Sequence, residues 1–185
     1  PRDPHASDRR RLIEGLARAR AALGEQDDAI ELWQEALGLA LGSGDGSGVA
    51  NLYRRIGRAH LSQGRLGAAL DAFEEGTEAA REVGDRFSEA RLRLVEGVSL
   101  QQAGRSSEAA QAVQAALEIG AELQIPEMLV QMNRGLLLIH LWNGELDLVR
   151  EKGLEVRRMA GTTGDPQLMF WAEWTLAAAA GLRGN

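Results

Sequence analysis

Gly24, Gly64, Gly104, Gly144 and Gly184 stand at a constant spacing of 40 residues. A period of that length marks an array of repeated supersecondary units, each burying its apolar face on its neighbours. Arrays of this kind offer extended surfaces for binding rather than a closed catalytic pocket. The spacing therefore constrains the architecture far more tightly than the partner.

The same pattern returns around each glycine. An apolar-periodic segment of about 16 residues precedes it and a second begins two residues after it, which predicts a helical hairpin. Five positions past the glycine stand Ala29, Ala69, Ala109 and Val149, and sixteen past it stand Ala40, Ala80, Gly120 and Ala160. Small residues there let two helices approach to the near end of the usual interaxial range, about 8 Å. Nine past the glycine come Trp33, Phe73, Val113 and the exception Gly153; thirteen past it come Leu37, Thr77, Leu117 and Arg157, so the fourth unit is the most degenerate. Trp33 is expected in the core.

The punctuation agrees. Gly44-Asp45, Gly84-Asp85 and Gly164-Asp165 share one offset, where glycine can end a helix and aspartate can cap the next. The third unit has Gln124-Ile125-Pro126 instead, with Pro126 suited to a first helical turn. The Gly/Ser-rich run 42–48 is expected to be a mobile loop within the repeat register. Nine helices follow, at about 8–23, 26–42, 47–63, 66–82, 87–103, 106–122, 127–143, 146–161 and 167–182. No strand-like alternation competes. The units are expected at about 8–45, 46–85, 86–125, 126–165 and a half-unit 166–184, within a single domain spanning 1–185.

With 185 residues, 44% of them hydrophobic, the chain can bury one sizeable core. It lacks cysteine, which excludes a disulfide framework and thiolate metal sites and fits a reducing, cytoplasmic setting. Its longest apolar stretch, 168–182, is interrupted by Glu173 and falls short of the roughly 20 residues that cross a bilayer. The polar start, with Arg9, Arg10 and Arg11, is no secretory signal. Beginning at Pro1 rather than methionine, the chain is expected to be a fragment of a larger protein. A formal net charge of −6 argues against a nucleic-acid binder.

The units resemble the tetratricopeptide repeat, whose helix A carries a Leu-Gly pair seven residues before the turn glycine and whose helix B carries alanines. Ile56-Gly57 matches that pair; Leu16-Ala17 and Leu176-Ala177 have alanine for glycine, Glu96-Gly97 keeps the glycine and Leu136-Leu137 departs from it. Ala29, Ala69 and Ala109 match the first helix B alanine; Ala36 and Ala116 match the second, which is Gly76 in unit two. The family unit has about 34 residues, whereas this one has 40 and ends in Gly-Asp rather than proline. It looks like the longer variant found in large bacterial signalling and transcription regulators. The resemblance implies an all-α fold, a right-handed α-solenoid of about four helix-turn-helix repeats plus one C-terminal helix.

It also implies that helices A line a concave groove. On that template Arg11, Arg18, Arg54, Arg55, Arg58 and Arg91 face inward with Glu14 as the one acidic member, and Leu138, Trp142, Trp171 and Trp174 follow, with Arg134 at the junction. A groove basic at one end and aromatic at the other suits an acidic and apolar protein or peptide segment, its carboxylates met by guanidinium groups and its apolar anchor by tryptophan. Two plainer readings compete. The arginines form a solvated face paired with glutamates, such as Arg91 with Glu89 or Glu96, and Trp171 and Trp174 fill space against the eighth helix. The last helix is apolar around nearly its whole circumference and is expected to associate with a second copy.

No phosphate-cradling loop, zinc-protease motif or nucleophile elbow occurs, and neither a cofactor nor an enzymatic activity is expected. His60 and His140 share one offset two units apart, too far to hold one metal ion, and are expected to pack on the inner helix face. The functional expectation is a protein-interaction module of a cytoplasmic regulator. The alternatives are a small-molecule sensor stacking a planar-faced ligand on tryptophan, and a non-binding spacer or self-association arm.

Overall fold

The computed structural model describes residues 6–184. Pro1, on which the expectation of a fragment rests, lies outside them. Among the described residues there are nine helices: α1 (Ala6–Ala22), α2 (Gln26–Ser43), α3 (Gly46–Ser62), α4 (Leu66–Glu82), α5 (Arg86–Gln102), α6 (Ser106–Leu123), α7 (Pro126–Trp142), α8 (Leu146–Thr163) and α9 (Pro166–Leu182). All lie within two residues of the boundaries expected from the repeat.

Each turn is built alike because each helix must stop in the same way. The five periodic glycines, with Gly44, Gly84 and Gly164, have φ between +69° and +86°, where a Cβ would be strained. At six of these turns the next residue donates its N–H to the carbonyl five positions back, as from Arg65 to His60 at 2.9 Å and from Asp85 to Ala80 at 2.8 Å, which satisfies a carbonyl orphaned by the helix end. Gln124 takes the corresponding left-handed conformation at φ +53° without being glycine. Asp45, Asp85 and Asp165 cap the following helices by accepting backbone N–H bonds from Gly48, Ser88 and Leu168 at 2.9 to 3.0 Å.

The run 42–48 is not the loop that its composition predicts. Only Gly44 and Asp45 lie outside helices there. Two of its glycines serve packing: a Cβ on Gly46 would come within 2.2 Å of Val83, and one on Gly48 within 2.4 Å of the Asp45 carboxylate.

The chain divides into two compact units, Pro1–Val95 and Glu96–Asn185. In the first, Ala17, Ile30, Trp33, Leu52 and Ile56 pack into one cluster and Ala50, Phe73 and Leu92 anchor another. Phe73 lies so close over Gly57 that a Cβ there would sit 2.3 Å from its ring, which is the reason for glycine in the Leu-Gly pair. In the second unit, Leu137, Val156, Leu168 and Ala172 form one cluster and Leu141, Val149 and Ala179 another. The degenerate fourth repeat has a physical account. Gly153 leaves a hollow at a position that holds Trp33 or Phe73 elsewhere, and the Leu176 side chain reaches into it, within 2.9 Å of where a Cβ would stand.

Candidate ligand-binding clefts

The sequence RRIGR puts Arg54, Arg55 and Arg58 within one turn of α3, so all three project from neighbouring faces of one helix. With Arg18 of α1, Trp33 of α2 and Ser62 they line an open cleft of about 360 Å³. Helix α5 contributes Arg91, whose guanidinium lies over the Phe87 ring at 5.4 Å. Arg54 donates to the Asn51 side-chain oxygen at 2.8 Å. Among the described residues none of Arg18, Arg54, Arg55, Arg58 and Arg91 forms an ion pair with a carboxylate. By contrast Arg9, Arg10, Arg20, Arg65 and Arg81 each do.

Burial and then like charge disfavour the charged forms of two of these arginines. Burial, with the charges of Arg91, Arg55 and Arg58, pushes the Arg54 guanidinium down to about 10. Burial also lowers Arg55; Glu14 opposes the shift, and Arg18, Arg91 and Arg58 add to it. Arg55 Nε and the indole N–H of Trp33 are buried without acceptors. The expected pairing of Arg91 with Glu89 does not form. Glu89 is buried and held by Arg81 at 3.2 Å and Arg86 at 2.6 Å, which leaves it turned to the opposite partners. Glu14 lies 3.5 Å from Arg10.

In the second unit, Arg134 lies over the Trp171 ring at 5.5 Å, and Trp171 meets Trp174 edge to face with centroids 5.7 Å apart. The Arg134–Trp171 contact joins α7 to α9. Trp174 and Trp142 are exposed and Leu138 is half-buried, with Leu138 and Trp142 one and two turns along α7 from Arg134. Phe170 belongs to the same aromatic cluster, 5.6 Å edge to face with Trp171. The repeat template hides it, because its position holds Ala50 and Ala90 in earlier units. Arg11 is exposed on α1 and does not line the basic cleft.

His60 is half-buried, and burial followed by the nearby Arg65 holds its imidazole below the usual histidine range, with Asp27 opposing. His140 is buried, its Nδ1 2.5 Å from the Glu145 carboxylate. Among the described residues no group of three or more His, Asp or Glu side chains could hold a metal ion, and no helix is long and apolar enough to cross a membrane.

Residues 8–82 match the tetratricopeptide repeat family, less than half of the chain. No curated protein matches significantly by sequence. Solved structures match by fold. A kinesin light chain with nearly identical TPR-like repeats, from P. anserina, is similar with TM-score 0.78 at 18% identity, over 98% of this chain and 90% of that one. The Rap conjugation gene regulator of plasmid pLS20, in complex with the Phr* peptide, gives TM-score 0.61 at 13% identity over 91% and 51%. A signal transduction ATPase with numerous domains and a tetratricopeptide repeat sensor, from Pyrococcus horikoshii, gives 0.74 at 17% over 86% and 25%. Residues 8–82 thus match tetratricopeptide repeats in sequence, and the helical hairpins of the chain share the fold of solved TPR-like proteins.

Proposed function

We propose that the chain is a protein-binding module of a cytoplasmic regulatory protein, and that the cleft of Arg18, Arg54, Arg55 and Arg58 receives the carboxylates of an acidic segment. The observation that carries this reading is a group of guanidinium groups with no ion-paired carboxylate lining one cleft, where burial and then the neighbouring arginines bring Arg54 down to about 10. Half-buried like charges are costly unless something pairs with them, and bidentate contacts to carboxylates would satisfy them. Arg91 widens the basic field within the first unit; the exposed Trp142, Trp174 and Phe170 form a separate apolar surface on the second. The likeness to a regulator captured with a peptide supports the same role by analogy of fold. A nucleic-acid partner is disfavoured by the net charge of −6.

The test is fluorescence anisotropy with a labelled peptide rich in glutamate and leucine. The Arg54→Glu, Arg58→Glu double variant should bind at least tenfold more weakly while keeping its helical circular dichroism. Unchanged binding would remove the cleft from the interaction.

A second reading is favoured by Trp174 and Phe170 each meeting Trp171 edge to face while themselves exposed. Such a cluster can stack a planar-faced small molecule, and the fold is shared with a protein that carries a tetratricopeptide sensor. A saturable shift of tryptophan emission in a metabolite screen would favour a sensor over a peptide binder. A spacer without a ligand would leave the unpaired arginines of the first unit without a purpose.

A further inference from the structure

The repeat supplies its own control for the arginines of α3. The position of Arg55 holds Gly15, Val95, Gly135 and Thr175 in the other units, and that of Arg58 holds Arg18, Val98, Leu138 and Ala178. The hairpin therefore forms with a small or apolar residue at either place, and packing does not call for guanidinium groups there. In the first unit they are gathered on one cleft, where Arg18, Arg54, Arg55 and Arg58 share the lining with Trp33 and Ser62.

This lining offers more donors than the protein itself uses. Arg54 gives one nitrogen to the Asn51 side chain, 2.8 Å away. Arg55 Nε has no acceptor, and neither has the indole N–H of Trp33, a residue only 5% exposed. Leaving a buried donor unpaired is unfavourable, so the cleft is short of acceptor oxygens. The carboxylate whose charge acts on Arg55 is Glu14, and it lies 3.5 Å from Arg10. Ala21 and Ala59 are the small residues of the wall, and the space left between the arginines is about 360 Å³.

What fits such a cleft is decided by charge per group. A carboxylate brings one negative charge and two oxygens, whereas a phosphomonoester brings about −1.5 to −2 near neutral pH and three strong acceptor oxygens. The guanidinium groups of Arg18, Arg54, Arg55 and Arg58 exceed what one carboxylate can pair. Several glutamates would bring their charges on separate side chains, each of which must be ordered on binding. Guanidinium is also the cation whose planar fork meets phosphate oxygens two at a time. Arg91 lies outside this lining, yet its charge acts on Arg54 and Arg55, so the positive field continues along helices A. That extension suits a chain with further acidic residues better than a lone phosphate.

We propose that the cleft is a phosphoryl-binding site, and that the acidic segment it receives carries a phosphorylated side chain seated among Arg18, Arg54, Arg55 and Arg58. This rests on the reading that the cleft receives an acidic segment, and it names the group that enters. Phosphorylation of the partner then switches binding on, because the unmodified hydroxyl leaves the guanidinium groups unpaired.

Fluorescence anisotropy with three labelled peptides tests this, identical in a glutamate- and leucine-rich sequence except for one central serine, glutamate or phosphoserine. The phosphoserine peptide should bind about tenfold more tightly than the glutamate peptide, and the serine peptide most weakly. Arg18 and Arg58 are exposed, so the Arg18→Gln, Arg58→Gln double variant should keep its helical circular dichroism and lose most of that advantage. Should it unfold, the single Arg58→Gln variant carries the same comparison. Free O-phosphoserine should displace the phosphoserine peptide only weakly. Equal affinity for the glutamate and phosphoserine peptides overturns the phosphoryl site and leaves the acidic-segment reading standing, whereas failure of all three peptides to bind removes both. An advantage that survives in the variant places the phosphate elsewhere, and displacement by free O-phosphoserine as tight as the peptide itself assigns the cleft to a small phosphomonoester. Either result overturns the proposal.

Discussion

Arg10 on α1 donates at 2.6 Å to the Asp45 carboxylate, whose other oxygen accepts the backbone N–H of Gly48 at 2.9 Å. One side chain thus starts α3 and ties α1 to it. Gly48 permits this, since a Cβ there would crowd both partners.

Asp45→Ala should cost about 1–2 kcal/mol, mostly the lost cap, with the partly exposed ion pair adding little. The Gly48 N–H, followed by Arg10, holds the Asp45 carboxyl below the usual carboxylate range. Its folded pKa is thus below the unfolded one. The stabilisation is present above the ordinary carboxylate pKa, about 3.9, and disappears as pH falls toward the lower folded value. Urea unfolding of wild type and Asp45→Ala should converge in acid and diverge near neutrality.

At Arg54 the pH slope has the same sign, but here the charged form destabilises the fold. Its folded value of about 10 lies below the ordinary guanidinium range, so the folded state binds fewer protons above about that pH and stability from this group rises with pH through that window. At neutral pH the charge is a burden. Arg54→Met should stabilise by about 1 kcal/mol, raising Tm by about 2–4 °C, and calorimetry should show the gain shrinking when a polyanion is added.

The strand-free, nine-helix reading was legible because glycine at a left-handed turn leaves a mark that survives when the helices between diverge. Gln124 shows the limit of that legibility. It adopts φ +53° although nothing in its chemistry announces it, and only its place in the register points to a turn. Gln124→Gly should stabilise by about 1 kcal/mol by relieving the crowding of its Cβ, measured as a shift in the urea midpoint at unchanged slope.

Gly57→Ala should destabilise by about 1–3 kcal/mol, because the Phe73 ring must move to admit a methyl group. Combining it with Phe73→Leu should recover part of the loss. Strict additivity in that double-mutant cycle would mean that the two residues do not share the space.

The basic cluster was readable since Arg54, Arg55 and Arg58 lie one turn apart on a single helix. What could not be read was which carboxylates escape it. Glu89 sits two residues from Arg91 in sequence, yet helical geometry turns it toward Arg81 and Arg86. Phe170 was missed for another reason: its repeat position holds Arg10, Ala50, Ala90 and Val130 in the earlier units, so the register points to no aromatic there.

The Leu176 side chain that occupies the hollow beside Gly153 makes α8 and α9 depend on each other as a pair. Anyone regularising this array toward a consensus would restore a large residue at 153 and thereby drive it into leucine already in place. The fourth repeat therefore has to be redesigned as two helices at once, with position 176 trimmed whenever 153 is enlarged.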